Sequence, residues 1–193
     1  GGTGWQRTGG GVYNVLPFIE QQAFYDLPRD QAAGLQQTPI DMMNCPSRRK
    51  AGLFKWGFVG NHPNPHRFPG ADSVTEAART DYAVNGGTHA DDGSSQPNSI
   101  FEGDNSYDWA LIAATRNGVS YPASEIGPAH VRDGLANTYL FGEKYLNPFD
   151  YATALDVGDN EGMYIGDNED IARMTGREDD TGFPPIPPRQ DHP

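Results

Sequence analysis

The sequence predicts an α+β domain in which an antiparallel β-sheet packs on an N-terminal helix and long loops join the elements. The first observation is an apolar helical face close to the start of the chain. The second is a set of short aromatic segments later in the chain, each bounded by turn-forming residues. A helix followed by several strands, without regular βαβ alternation, is typical of α+β proteins.

Seven apolar residues near the start recur with the spacing of one helical face. They are Val12, Val15, Leu16, Ile19, Ala23, Phe24 and Leu27. Pro17 lies inside this pattern and is incompatible with a preceding helical turn, so we expect a break there and a better helix from Pro17 to Asp26. A second short helix is predicted over Gln31–Gln37, before Thr38-Pro39.

Four later segments have the features of strands, since they are short, aromatic and bounded by Gly, Pro, Asn or Asp. They are Leu53–Val59, Asp81–Val84, Asn137–Glu143 and Gly162–Ile165. A short helix is predicted within Asp104–Thr115, where Trp109 and Ile112 share a face. We interpret residues 1–183 as a single globular domain and residues 184–193 as a Pro-rich extended tail.

Composition and charge exclude several classes of function. The 193 residues carry a formal net charge of −12. Nucleic-acid binding needs concentrated Lys and Arg, and we interpret the only basic run, Arg48-Arg49-Lys50, as a solvated turn. No apolar run is long enough to span a bilayer. The single cysteine, Cys45, forbids an internal disulfide and is expected to be a small buried residue.

The acidic segment Asp156–Asp170 is the clearest candidate for a metal site. It contains six carboxylates and three glycines but no Lys or Arg, and oxygen ligands on a Gly-containing loop suit Ca²⁺. The spacing is not that of an EF-hand. The alternative is a solvated acidic loop, the usual fate of a charge run. The predicted calcium ligands are Asp156, Asp159, Glu161, Asp167 and Asp170.

Catalytic residues are not predicted, and we expect no enzyme. His62 and His66 are four apart, but Pro63 and Pro65 lie between them and exclude a helix that would bring both to one metal. There is no Gly-x-Ser-x-Gly motif. Several aromatic residues are interpreted as core, with a sugar-stacking platform as the alternative. They are Trp5, Trp56, Tyr107, Trp109, Tyr145 and Tyr151.

Several sequence blocks, in order along the chain, resemble those of one family. The blocks are Tyr13–Gln22 (YNVLPFIEQQ), Asn44–Ser47 (NCPS), Asp81–Asn85 (DYAVN), Asp133–Lys144 (DGLANTYLFGEK), Tyr145–Pro148 (YLNP), Asp159-Asn160 and Met163-Tyr164. Together they resemble the planctomycete prepilin-like proteins of unknown function that carry a C-terminal His-x9-Asp-Gly motif and have also been labelled solute-binding. Neither Asp92-Gly93 nor Asp133-Gly134 has the required His, so that motif is missing.

The resemblance implies a pilin-like fold and a non-enzymatic structural subunit related to type IV pilins and the pseudopilins of type II secretion. Its partners would be copies of itself or other pilin-like subunits, with no nucleic acid. The prepilin cleavage site and apolar N-terminal helix of the family are also missing, so the chain is interpreted as an internal soluble fragment. The full-length protein would then be extracytoplasmic and anchored in the inner membrane through that helix. Major pseudopilins often hold Ca²⁺ in a C-terminal loop, which favours the calcium interpretation. The alternative function is a glycan-binding or small-solute-binding module of the cell envelope.

Overall fold

A computed structural model describes residues 10–28, 31–57, 74–88, 102 and 105–175. The α-helices are α1 Gly11–Val15, α2 Gln22–Tyr25, α3 Ala32–Gln36 and α4 Trp109–Thr115. The strands are β1 Leu53–Lys55, β2 Glu76–Ala78, β3 Tyr82–Asn85, β4 Phe141–Glu143 and β5 Ala172–Arg173. The 3-10 turns are Leu16–Ile19, Asp41–Met43, Pro128–His130, Leu135–Asn137 and Pro148–Asp150. The domain is therefore α+β, as predicted, and its elements are short.

The N-terminal helical region is more broken than the sequence pattern predicts. Helix α1 continues into the 3-10 turn Leu16–Ile19, which has Pro17 in its first turn. That turn ends at Glu20 in the left-handed region, with φ of 63°. The expected helix from Pro17 to Asp26 is therefore wrong in extent, and only its second half contains α-helix, as α2. Proline explains the start of the break, because it cannot donate the helical hydrogen bond.

The apolar face of this region nevertheless forms the main core. Val12 and Leu16 are buried there with residues from later parts of the chain, and Ile19 and Phe24 pack against them. The other buried members are Leu35, Ile40, Ala78, Met163 and Tyr164. The helical spacing thus identified most of the buried face, although Val15 and Ala23 are exposed and the helix itself is interrupted.

Gly10 allows the start of α1 to lie close to the segment around Ile165 and Ile171. Its N–H donates to the carbonyl oxygen of Ile165 at 2.7 Å. A Cβ atom at Gly10 would lie 2.5 Å from that oxygen and would also overlap the Ile171 side chain. Glycine is required here because any larger residue would push the two segments apart.

The strands form two small sheets among the described residues. Strands β1 and β2 pair antiparallel, with Phe54 opposite Ala77. The second sheet has the order β4-β3-β5, in which β3 and β4 are antiparallel but β3 and β5 are parallel. Helix α1 lies against this sheet, since a Cβ at Gly11 would be 3.0 Å from Val84.

Two predicted strands match observed ones closely and two do not. The predictions over Leu53–Val59 and Asp81–Val84 contain β1 and most of β3, although residues 58 and 59 lie outside the described part. Asn137–Glu143 is strand only at its end, as β4. Gly162–Ile165 forms turns rather than a strand. Met163 and Tyr164 pack into the core, and the Met163 N–H donates to the Ala78 carbonyl of β2 at 2.8 Å.

The predicted short helix within Asp104–Thr115 is confirmed as α4. Asp108 caps it, with its carboxylate accepting from the Leu111 N–H at 2.9 Å, and such a cap stabilises a helix start. The predicted helix Gln31–Gln37 is confirmed as α3. The interpreted tail, residues 184–193, lies outside the described residues, so the proposed domain boundary stays a prediction.

Candidate functional site

Five charged side chains meet inside the domain, and each is less than one-tenth exposed. We call them the buried ionic cluster: Arg49, Arg79, Asp81, Lys144 and Asp159. An ionised group that loses its water costs free energy unless ion pairs and hydrogen bonds replace its hydration. The contacts within the cluster provide that replacement.

Asp159 is the centre of the buried ionic cluster. Arg49 donates to its carboxylate from both terminal nitrogens, at 2.5 Å and 2.9 Å. Arg79 Nη1 lies 3.2 Å from Oδ2 and Lys144 Nζ lies 3.0 Å from Oδ1. Burial by itself raises the pKa of Asp159, but the positive charges of Lys144 and Arg49 outweigh it and hold the pKa below its usual value. Asp159 is therefore ionised over the physiological pH range.

Asp81 joins the cluster to the backbone of a distant loop. Its Oδ1 forms an ion pair with Arg49 Nη2 at 2.8 Å. Its Oδ2 accepts from the Cys45 N–H at 2.8 Å and from Asn44 Nδ2 at 3.4 Å. Arg49 thus bridges two carboxylates, which only a guanidinium with its several fixed donors can do in this geometry.

Lys144 ties the cluster to the loop that precedes β5. Its Nζ donates to the backbone carbonyls of Gly158 at 2.9 Å and Asp170 at 2.7 Å. Burial lowers the pKa of Lys144, although the negative charges of Asp159 and Asp170 oppose that effect. The ammonium therefore has three oxygen partners, the number it needs when it lies away from water.

The two arginines also share an aromatic surface. The guanidinium carbons of Arg49 and Arg79 lie 4.7 Å and 5.6 Å from the ring centroid of Phe54 in β1. A cation within about 6 Å of a ring centroid is attracted to the ring. The cluster is thus fixed from the β1 side as well as by its carboxylates.

A second carboxyl pair lies next to the cluster. The Glu161 N–H donates to Asp170 Oδ1 at 3.0 Å. Asn168 Nδ2 contacts both carboxylates, Glu161 Oε2 closely and Asp170 Oδ2 at 3.5 Å. Burial, with help from the negative charges of Glu161 and Asp159, raises the pKa of Asp170 to about 7. Asp170 is therefore the group of this region that titrates near neutral pH.

The sequence-predicted calcium ligands are divided between these arrangements. Asp159 has its carboxylate turned toward Arg49, Arg79 and Lys144. Asp156 accepts from the N–H groups of Asn147 and Gly158. The Glu161 and Asp170 carboxylates are adjacent, and Asp167 is half-buried. Within the described ranges, no group of three or more His, Cys, Asp or Glu side chains is placed to hold a metal ion. Calcium binding stays a prediction.

The cations of the cluster were not identified from the sequence. Arg49 was expected in a solvated turn; the turn exists, but Arg49 is buried while Lys50 is exposed. Nothing local marks Arg79 or Lys144 as buried. The available signal was the set of sequence blocks itself, because three of them supply cluster members and a fourth supplies hydrogen-bond donors to Asp81. Asn44–Ser47 gives the donors to Asp81, and the later blocks give Asp81, Lys144 and Asp159.

Cys45 and His130, two further candidates, have partners within the domain. Cys45 is buried, as expected, and its Sγ lies 3.1 Å from Ser47 Oγ. His130 Nδ1 accepts from the Gly127 N–H at 2.9 Å. Trp56 is in the core, as expected, whereas Trp109 is only half-buried. His62 and His66 lie outside the described residues.

Exposed apolar side chains are concentrated in one part of the chain. We call residues 135–157 the exposed apolar segment. Its large exposed members are Leu135, Tyr139, Leu140, Phe141, Tyr145, Phe149, Leu155 and Val157. This segment supplies more than half of the large exposed apolar side chains among the described residues. No helix among the described residues is long and apolar enough to cross a membrane.

The fold and these sites define a class: a small α+β domain with a charged centre and an apolar segment on its surface. The chain belongs to the family described as "Protein of unknown function (DUF1559)", SBP_bac_10, whose sequence model matches residues 1–179. No curated protein and no solved structure matches the chain.

Proposed function

We propose that this chain is the globular part of a non-enzymatic, extracytoplasmic structural subunit that assembles with copies of itself or with other pilin-like subunits. The observation that carries the proposal is the exposed apolar segment, in which side chains such as Phe149 and Leu155 contact little else of the domain. Association covers such surfaces.

The buried ionic cluster supports the same proposal. Its carboxylates bind arginine and lysine of the same chain and are buried. Such a cluster fixes how distant segments meet. A charged centre held by its own ion pairs, with an exposed apolar segment outside it, is suited to a subunit that presents a defined surface to neighbours.

The resemblance to prepilin-like proteins supplies the more specific part of the proposal. The blocks Tyr13–Gln22 and Asp133–Lys144 carry that resemblance, and membership in the DUF1559 family is compatible with it. On this basis the full-length protein is anchored in the inner membrane and belongs to a system related to type IV pili or type II secretion.

The test is made in the bacterium that produces the protein. An antibody raised against this chain is used after fractionation of the cells and after chemical cross-linking of intact cells. We expect the protein in the envelope fraction, in cross-linked species larger than one subunit. A protein found only in the cytosol, or only as a monomer after cross-linking, overturns the proposal.

A binding module for a glycan or small solute is the second candidate. It is favoured by the short name of the family, SBP_bac_10, and by the exposed rings of Phe149 and Tyr139, which offer stacking surfaces for sugars. A panel of mono- and oligosaccharides in thermal melts tests it. A melting-temperature rise that is lost in Phe149→Ala or Tyr139→Ala supports the binding module over the structural subunit.

A further inference from the structure

Strand β4 is an edge strand among the described residues. The alternation of its hydrogen bonds to β3 shows which of its backbone groups face outward. The Asn85 N–H donates to Leu140 at 3.0 Å and the Lys144 N–H donates to Asp81 at 2.9 Å. In an antiparallel pair the bonded residues alternate, so Leu140, Gly142 and Lys144 face β3. The backbone groups of Phe141 and Glu143 therefore point away from β3. In the part of the chain that the structure describes, they have no hydrogen-bond partner.

The side chains around this edge are apolar and exposed. Tyr139, Leu140 and Phe141 are 78%, 65% and 59% exposed. Phe141 touches the neighbouring strand edge-on, with its ring centroid 6.1 Å from that of Tyr82. An exposed apolar edge is a template for pairing with another strand.

The edge is also electrically neutral in a chain whose net charge is −12. Its one exposed carboxylate, Glu143, lies 3.5 Å from Arg48 Nη2. Two copies of an acidic protein repel each other, and that repulsion is smallest where a carboxylate already has a cationic partner. The chain thus offers a second copy an approach along β4.

We propose that a second copy of this chain adds its own β4 antiparallel to this β4, about a two-fold axis at Gly142. The register places Phe141 of each copy opposite Glu143 of the other, so the outward N–H and C=O groups of both residues are satisfied reciprocally. The result is a continuous sheet with the order β5-β3-β4-β4-β3-β5.

The side chains fit this register. Gly142 meets Gly142 of the second copy in a non-hydrogen-bonded pair, where the strands approach most closely, and no atom lies within 4 Å of a Cβ built there. Tyr139 falls opposite Tyr145 of the second copy, an aromatic cross-strand pair. Glu143 falls opposite an aromatic residue rather than another carboxylate. A two-fold axis at Gly142 repeats these opposed residues in any identical copy, whereas an unrelated chain would have to carry the same residues in the same order.

The first experiment traps the two-fold contact covalently. Opposed residues of a non-hydrogen-bonded pair have Cα atoms about 4.5 Å apart, within the range that a disulfide spans. We expect Gly142→Cys to form a disulfide-linked dimer under mild oxidation. Leu111→Cys, an exposed position in α4 outside the exposed apolar segment, is expected to stay monomeric, and Cys45 is buried. If Gly142→Cys cross-links no better than Leu111→Cys, the inference is overturned.

The second experiment weakens the contact without disturbing the fold. The N–H of Phe141 faces outward, so Phe141→Pro removes an edge donor but no bond to β3. In analytical ultracentrifugation we expect a wild-type dimer whose dissociation constant falls as NaCl rises, because salt screens the repulsion. Phe141→Pro is expected to raise that constant at least tenfold, and Leu111→Ala, at an exposed position in α4 outside the exposed apolar segment, to leave it unchanged. Circular dichroism checks that each variant is folded.

This inference rests on the proposed function, since it names the surface through which copies associate, but the two fail differently. A wild-type dimer that Phe141→Pro leaves intact overturns the β4 contact and preserves self-assembly. A monomer at every concentration also overturns the β4 contact. Cross-linking in intact cells then decides separately whether the structural function stands.

Discussion

The buried ionic cluster and the exposed apolar segment reverse the usual placement of residues. Arg79 and Asp159 have almost no exposed surface, whereas Phe149 and Leu155 are largely exposed. Apolar residues generally stabilise a fold by burial, and isolated buried charges cost free energy. The interior charges are therefore stabilised by one another, whereas the exposed apolar groups gain no stabilisation from burial within the domain.

The largest expected effect comes from removing the centre of the buried ionic cluster. Asp159→Asn leaves three buried cations without their shared carboxylate, so we expect a loss of about 3–5 kcal/mol in the free energy of unfolding. Urea denaturation measures it. Asp133→Asn, at an exposed position, is the control and should change stability by less than about 0.5 kcal/mol. A loss below about 1 kcal/mol for Asp159→Asn would contradict the role of the cluster.

A matched pair of leucines measures the apolar half of the comparison. Leu16 is fully buried in the core, and Leu155 is 75% exposed. We expect Leu16→Ala to cost about 2–5 kcal/mol because it leaves a cavity, and Leu155→Ala to cost less than about 0.5 kcal/mol. The measurement is again urea denaturation of the isolated chain. Similar losses at both positions would show that Leu155 packs within the domain.

Arg49→Lys tests whether the geometry of the cluster matters beyond its charge. Lysine keeps the positive charge but cannot bond Asp159 with two nitrogens while reaching Asp81. We expect a loss of about 1.5–3 kcal/mol, the size of a hydrogen bond to a charged group. Lys50→Arg, on an exposed neighbour, should have no measurable effect. If Arg49→Lys leaves the free energy of unfolding unchanged, the positive charge of this residue matters and its hydrogen-bond geometry does not.

The pH dependence of stability sharpens the comparison further. Burial raises the pKa of Asp170 from its ordinary 3.8 to about 7 in the folded chain. The folded state therefore holds this proton more tightly than the unfolded state, and stability falls as pH rises from about 4 to about 7. The slope from one such group approaches about 1.4 kcal/mol per pH unit.

Asp170→Asn should remove that contribution. The amide oxygen still accepts from the Glu161 N–H, so the variant is expected to be more stable than wild type above pH 7 and similar near pH 4. Glu169→Gln, a half-buried neighbour, is the control. The free energy of unfolding is measured at several pH values in this range for both proteins. If it changes with pH equally in wild type and in Asp170→Asn, the raised pKa of Asp170 is refuted.

Calcium binding is the smallest of the expected effects. A cation that binds only the folded chain raises its melting temperature, so the predicted site at Asp156–Asp170 requires a rise when CaCl₂ is added after EDTA and no comparable rise with MgCl₂. Asp167→Asn, outside the buried ionic cluster, should then abolish the rise. An unchanged melting temperature would show that Asp156–Asp170 does not bind calcium in the folded chain.

Much of the local structure could be predicted from the sequence because it depends on near neighbours. The spacing of Val12 and Leu16 identified a buried face, and the shared face of Trp109 and Ile112 predicted the helix that the structure has as α4. Strand β5 escaped prediction because Ala172-Arg173 is too short to show alternation, and it pairs only through its parallel neighbour β3.

The candidate site divides in the same way. The acidic segment was recognisable as a concentration of carboxylates. In the structure its last residue, Asp170, accepts hydrogen bonds from Lys144, Glu161 and Asn168. Its cations were not recognisable, because no spacing rule connects Arg49 with a carboxylate 110 positions later.

The sequence by itself determined the fold class, the break of the N-terminal helix at Pro17, and the family to which the chain belongs. The tertiary structure alone decided which charges are buried and which apolar side chains are exposed. The physical reason is that propensity and turn formation act over a few residues, whereas the desolvation of a charge depends on every segment that surrounds it. Asp159 and Asp156 are three positions apart in one acidic run, yet only Asp159 is enclosed by three cations.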